Sequence, residues 1–103
     1  MARGKPVVLG DKSFRTRQEA LAFFKIMLGR YKAGEVVVET DAVYLAELIL
    51  RHPEAAEKIG LGVHHFEVMS ADFGTKCFGI VRCNGTIIDF SYPTCVNARL
   101  DDV

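Results

Sequence analysis

Two longer helices laid against a mainly antiparallel sheet, an α+β fold, is what this sequence predicts, and three features point to it. Asn84-Gly85 sits between two apolar runs, the strongest short-range hairpin signal a sequence offers. Thr16 followed by Glu19 opens a segment whose apolar residues recur at helical spacing. Runs at about 63–70, 76–83 and 86–92 read as three consecutive strands. The expected architecture is a three- to four-stranded sheet with a hairpin in the C-terminal half, packed against two longer helices plus short ones. It forms one domain over residues 1–103.

Taken in order, Pro6-Val7-Val8-Leu9-Gly10 reads as a short first strand closed by Gly10 and Asp11. Thr16 and Glu19 form a capping box, each side chain satisfying an unpaired backbone N–H at the helix start. The helix behind it carries apolar residues at 20, 21, 24, 27, 28 and 31, the stripe of a helix lying on a core, and Gly34 is its expected end. Val36-Val37-Val38 suggests a short strand. Thr40 or Asp41 then caps a second helix that buries Tyr44 or Leu45, Leu48 and Ile49 and stops near Arg51, because Pro53 disfavours helical geometry at His52. Pro53 suits the first position of a short third helix with Gly60 as its stop. A last helical turn is expected at about 93–99.

Half the residues are apolar and a quarter charged, an ordinary globular composition. No apolar run reaches the roughly 18 residues a membrane span needs, and no signal-peptide pattern opens the sequence. Three cysteines, none in C-x-x-C spacing, fit a reducing compartment, so a cytoplasmic location is expected. Net charge is zero but unevenly distributed. Residues 1–32 hold eight Lys or Arg against two acidic side chains, and residues 33–103 hold five against eleven. Such a split marks a candidate phosphate-binding face. Lys25, Arg30 and Lys32 also favour the C-terminal half of their helix through its dipole, so part of the cluster has a structural use.

A two-residue Asn84-Gly85 loop pairs Cys83 with Thr86 and sets the register of the hairpin. One face then collects Cys77, Gly79, Val81, Cys83, Thr86, Ile88, Phe90 and Tyr92 as core. The other collects Phe78, Ile80, Arg82, Ile87, Asp89 and Ser91, with Arg82 and Asp89 as diagonal neighbours. Cys77 and Cys83, six positions apart, lie roughly 20 Å from each other along the strand. A disulfide needs Cα atoms within about 7 Å, so the pair neither bridges nor shares a metal. The cysteines are therefore expected to be structural.

His64-His65-Phe66-Glu67 contains H-x-E, but no P-C-x-x-C follows, so the zinc deaminase signature is incomplete. His65 and Glu67 share a strand face and can pair. Phosphate-loop, dinucleotide and hydrolase-elbow motifs are absent from the sequence. No nucleophile with an adjacent base stands out, which leaves an enzyme built on His65, Glu67, Arg82 and Asp89 as a minor alternative.

The residues His52-Pro53, Lys58-Ile59-Gly60-x-Gly62, Phe66-x-Val68, Cys77-Phe78, Arg82-x-x-Gly85 and Asp89-Phe90-Ser91-Tyr92-x-x-Cys95 stand in one order. In that order the chain resembles the DCL-type domain, named for the plant defective-chloroplasts-and-leaves protein and present in bacteria. The resemblance runs from about Phe14 to Cys95. It implies an α+β fold, no established catalytic activity and, for plant members, a role in plastid ribosomal RNA maturation or as an appendage of an RNA polymerase subunit. Asn84 stands where plant members tend to have Asp, and Pro93-Thr94 where they have basic residues, which weakens RNA contact at that end.

The expected function is a non-catalytic binding or adaptor module near RNA processing or transcription, with RNA or a ribosomal or transcription protein as partner. Arg82, Asp89, His52 and Lys58 form the candidate binding face, and Arg15, Arg17, Lys25, Arg30 and Lys32 the candidate phosphate contacts. No cofactor, metal or membrane is expected. A protein-docking module is the alternative, if Phe78, Ile80 and Ile87 form an uncovered apolar face.

Overall fold

The computed structural model describes residues 7–9 and 12–98. Its order is β1 (Val7–Leu9), β2 (Lys12–Phe14), α1 (Arg17–Gly29), α2 (Glu39–Ile49), α3 (Ala55–Ile59), β3 (Val63–Ser70), β4 (Lys76–Arg82), β5 (Ile87–Phe90) and α4 (Tyr92–Val96). Two antiparallel sheets result, β1-β2 and β3-β4-β5, which with the helices make an α+β fold. The strand β2 was not expected. Lys12-Ser13-Phe14 is too short to show a period, and it is placed by its partner, with Val7 opposite Phe14 and both buried. The expected turn at Gly10-Asp11 and part of the last helical stretch, residue 99, lie outside the described residues.

Helix α1 starts as its capping box predicts. Thr16 Oγ1 accepts from the Glu19 N–H at 3.2 Å, and Glu19 reaches back to the N–H of Arg15 at 2.9 Å. Ala20, Phe24, Met27 and Tyr31 are buried at i, i+4, i+7 and i+11, so the predicted stripe faces the core. The helix ends at Gly29, earlier than expected. Gly34 (φ 96°) instead turns the chain alongside β3, where Gly34 N–H meets the Val68 carbonyl and Val37 N–H the Phe66 carbonyl. Val36 bridges to Glu67, so this segment adds a fourth rung to the larger sheet.

Neither Thr40 nor Asp41 caps α2, whose cap residue is Val38. The reason is a buried polar contact. Tyr31 donates its hydroxyl to Asp41 Oδ2 at 2.6 Å and accepts from the N–H of the cap residue Val38 at 3.1 Å, so the Asp41 carboxylate is engaged inward instead of at the helix start. Burial and the Asp41 carboxylate push the Tyr31 phenol above its usual range.

The hairpin differs from expectation by one residue. Phe78 pairs with Phe90, Gly79 with Asp89, Ile80 with Ile88 and Val81 with Ile87. The loop therefore has three residues, Cys83-Asn84-Gly85, of which only Gly85 has positive φ (88°). Asn84 Oδ1 accepts from both the N–H and the hydroxyl of Thr86, which locks this longer turn. A slip of one residue moves a strand's whole side-chain set to the other face. Here it puts Ile88 and Phe90 beside Phe78 and Ile80, with Phe66 and Val68 from β3, and all but half-buried Ile88 are buried. Phe78 and Phe90 stack at 6.0 Å, and Tyr92 meets Phe78 edge-on at 6.2 Å. The helices contribute Phe24, Met27, Leu45, Leu48, Ile49 and Val96 to the same core.

Candidate functional site

The slip redistributes the predicted site. Cys77, Gly79 and Val81, expected in the core, lie on the opposite face with Ile87, Asp89 and the β3 residues His65, Glu67 and Met69. Phe78 and Ile80, expected on the exposed face, are wholly buried. The docking surface imagined from Phe78, Ile80 and Ile87 therefore keeps only Ile87, which is 44% exposed. Cys83 sits exposed in the loop, Cys77 is half-buried and Cys95 is buried. Burial pushes the Cys95 thiol up to about 12, and burial followed by the Asp89 carboxylate raises that of Cys77. Thiols held protonated are poor nucleophiles.

Arg82 and Asp89 are not neighbours. By strand parity Arg82 belongs to the core-side set and Asp89 to the open face. Arg82 is half-buried and acts as a clamp. Its Nε donates to Thr86 Oγ1 at 2.9 Å and its Nη1 to the Glu57 carbonyl at 3.1 Å, tying the hairpin to α3. Gly60 lies under it, where a Cβ would stand 3.2 Å from Arg82 Cδ. Lys58 and Asp89 do meet, through the backbone: Lys58 Nζ donates to the Asp89 carbonyl at 2.9 Å. Strand β5 is a sheet edge, and a lysine on its carbonyl row blocks pairing by another strand. His52 Nδ1 accepts from the Glu54 N–H at 2.9 Å. Burial, then the Lys58 charge, lowers its basicity.

The four residues of the enzyme alternative are not gathered. His65 Nε2 pairs with Glu67 Oε2 at 3.1 Å, and His64 Nδ1 with His65 Nδ1 at 2.8 Å. Asp89 is two strands away from Glu67, across Gly79, or roughly 10 Å at the usual strand spacing. Arg82 is held on the other side. A hollow of about 260 Å³ beside Lys76, Cys77, Asp89 and Tyr92 is smaller than most ligand pockets, which start near ~300 Å³, and a more open one of about 490 Å³ between α2 and His64 and His65 is lined by neither Arg82 nor Asp89.

Of the candidate phosphate contacts, Arg15 is exposed and pairs with Glu19 at 3.8 Å, and Arg30 pairs with Asp41 at 3.3 Å. Arg17, Lys25 and Lys32 have no ion pair among the described residues, and Lys25 and Lys32 are exposed. Two residues were not anticipated. Arg51 donates to the carbonyls of Cys95 and Val96, both at 2.9 Å, and Ala98 at 3.4 Å, gripping the end of α4. Nothing in the sequence around Arg51 announces this, because its partners lie 44 to 47 residues away. Phe73 is fully exposed with φ 59°, between β3 and β4.

Residues 25–96, which include the hairpin, its clamp and the α2 network, match the family described as "Protein of unknown function (DUF3223)". The chain belongs to this family. Its relatives include DCL proteins, so the DCL-type resemblance holds. An uncharacterized protein from Rhodospirillum rubrum, solved by solution NMR, is 46% identical with a TM-score of 0.84, over 92% of this chain and 91% of that one. "DNA-directed RNA polymerase IV subunit 1" of Arabidopsis thaliana is 38% identical over 70% of this chain but 5% of its own length. "Protein DCL, chloroplastic" of Solanum lycopersicum is 35% identical over 78% of this chain and 38% of its own. The chain thus spans less than half of these curated relatives. Among the described residues no helix is long and apolar enough to cross a membrane.

Proposed function

We propose that this DCL-type domain is a non-catalytic binding module working beside RNA synthesis or maturation, and that it contacts RNA through α1 and its flanks. One observation supports this reading: Arg17 and Lys25 on α1 and Lys32 just beyond it keep their charges unpaired among the described residues. The open sheet face is less suited to phosphate, since Glu67 and Asp89 both lie on it. The likeness to a segment of an RNA polymerase subunit, a small fraction of that protein, supports an appended module over a free-standing enzyme.

Fluorescence anisotropy with structured and single-stranded RNA at two salt concentrations tests the proposal. With three phosphates neutralised, log affinity falls by roughly 2 to 3 per log unit of salt. Arg17→Glu with Lys25→Glu weakens binding and flattens that slope. Affinity weaker than ~100 μM at low salt, the loose end of non-specific binding, ends the RNA reading. Protein docking is the second reading. It is favoured by the sheet face opposite the core, where Val36 and Ile87 are 53% and 44% exposed beside Met69 and Val81, and it predicts no RNA binding at either salt.

A further inference from the structure

The loop between β3 and β4 is a closed, well-bonded turn with an unusual occupant. Ala71 N–H donates to the Thr75 carbonyl at 2.8 Å, and Thr75 donates through N–H and hydroxyl to the Asp72 carbonyl at 3.2 and 2.6 Å. At its tip Phe73 takes φ 59°, ψ 36°, followed by Gly74 at φ 74°. Left-handed backbone is rare for a bulky side chain, and glycine or asparagine fills such a position more readily. Phe73 also buries nothing, with relative exposure of 101%. Neither turn geometry nor core packing accounts for an aromatic ring here.

The surroundings indicate what fits it. Ser70, Asp72, Gly74 and Thr75 are all exposed and small or polar, so the ring has no second apolar side chain on its own loop with which to form an extended hydrophobic patch. Stacking on a planar base needs only one ring face. The connection from α1 to α2 lies at the same end of the sheet. Lys76 Nζ donates to the Tyr31 carbonyl, and Gly34 N–H to the Val68 carbonyl, so Lys32 is carried to the flank of this hairpin end. Glu35 turns its carboxylate back onto the Lys32 N–H at 2.6 Å. Asp72 is the acidic neighbour on the loop itself. An aromatic face beside cations is the combination that holds single strands of nucleic acid.

We infer that Phe73 is a stacking platform for an unpaired base of single-stranded RNA, whose adjoining phosphates run along Lys76 and Lys32 toward α1. This rests on the RNA reading above and narrows it to unpaired RNA. The chain has no tryptophan, so Phe73→Trp introduces a single reporter at the tip. Single-stranded oligouridylate or oligoadenylate quenches its emission, while duplex RNA of equal length does not. By anisotropy, Phe73→Ala loses roughly 5- to 100-fold in affinity for the single strands, the effect of one stacked base, and Phe73→Trp retains it. Asp72→Asn binds more tightly than the unaltered chain. If Phe73→Ala binds like the unaltered protein while Arg17→Glu with Lys25→Glu loses binding, the RNA reading stands and the stacking inference falls. Equal quenching by duplex also overturns it. If the unaltered domain binds neither form, both fall together.

Discussion

Replacing Arg51 should loosen the end of the chain from the rest of the fold. Helix α4 has five residues, too few to persist alone, so tertiary contacts must hold it. Cys95 and Val96 supply the apolar part and are fully buried. Arg51 supplies the polar part, donating to two terminal carbonyls at 2.9 Å and one at 3.4 Å. Hydrogen bonds from a charged donor contribute about 1.5–3 kcal/mol each. Arg51 is half-buried and the third contact is long, so two bonds at the low end give about 3 kcal/mol. Water reaching the exposed part of the guanidinium reduces the loss in Arg51→Ala to about 2–3 kcal/mol. For about 100 residues that lowers Tm by roughly 10–20 °C. Arg51→Lys, a point charge that cannot fork, should retain no more than about half of the stabilisation. Urea unfolding followed by circular dichroism measures both. An Arg51→Ala midpoint within about 0.5 kcal/mol of the parent, the range of an inconsequential surface change, would show that the geometry carries no net stabilisation.

The same measurements extend to other sites. A Cβ on Gly79 would overlap the Met69 side chain, so Gly79→Ala should cost about 1–2 kcal/mol; the cost should largely vanish when Met69→Ala is added, and persistence in the double variant would contradict the packing. The His52 imidazole lies below its usual 6.5 when folded, so the unfolded chain binds more protons in mildly acid solution. Stability should therefore be complete above pH 6.5 and fall as pH drops below it. His52→Asn, which offers Glu54 a non-titrating acceptor, should flatten that part of the profile. In thiol titration with a chromogenic disulfide, Cys83 should react at once, Cys77 slowly and Cys95 only after denaturation, and a fast second thiol would place Cys77 or Cys95 incorrectly.

Where local chemistry decides the structure, the sequence was legible. The Thr16–Glu19 cap, the stripe from Ala20 to Tyr31 and the three consecutive strands all follow from short-range rules and appear as expected. The α+β class followed from them. Structure departs from these short-range rules where a distant group decides the outcome. Asp41 resembles a cap, but its carboxylate is engaged inward by the Tyr31 hydroxyl. Asn84-Gly85 signals the hairpin turn but not its length, because Asn-Gly suits both a two-residue loop and the end of a three-residue one. Thr86, binding Asn84 through both N–H and hydroxyl, belongs to the longer form. That single position separated Arg82 from Asp89 and turned a proposed binding pair into a clamp and a surface carboxylate. Nothing in the sequence signals Phe73, because an exposed aromatic belongs to no periodic pattern.

The parity of β4 also determines where this domain can change. Its even positions are locked among Phe66, Val68, Ile88 and Phe90, so each substitution there must be matched by repacking. Val81, Ile87 and Asp89 point away from that core, and new side chains there disturb no buried neighbour. Such a sheet is built for divergence: one face preserves the scaffold while the other, apart from Gly79 beneath Met69, is free to be rewritten. A domain with that property can be appended to longer proteins of different kinds and acquire a new surface in each without being refolded.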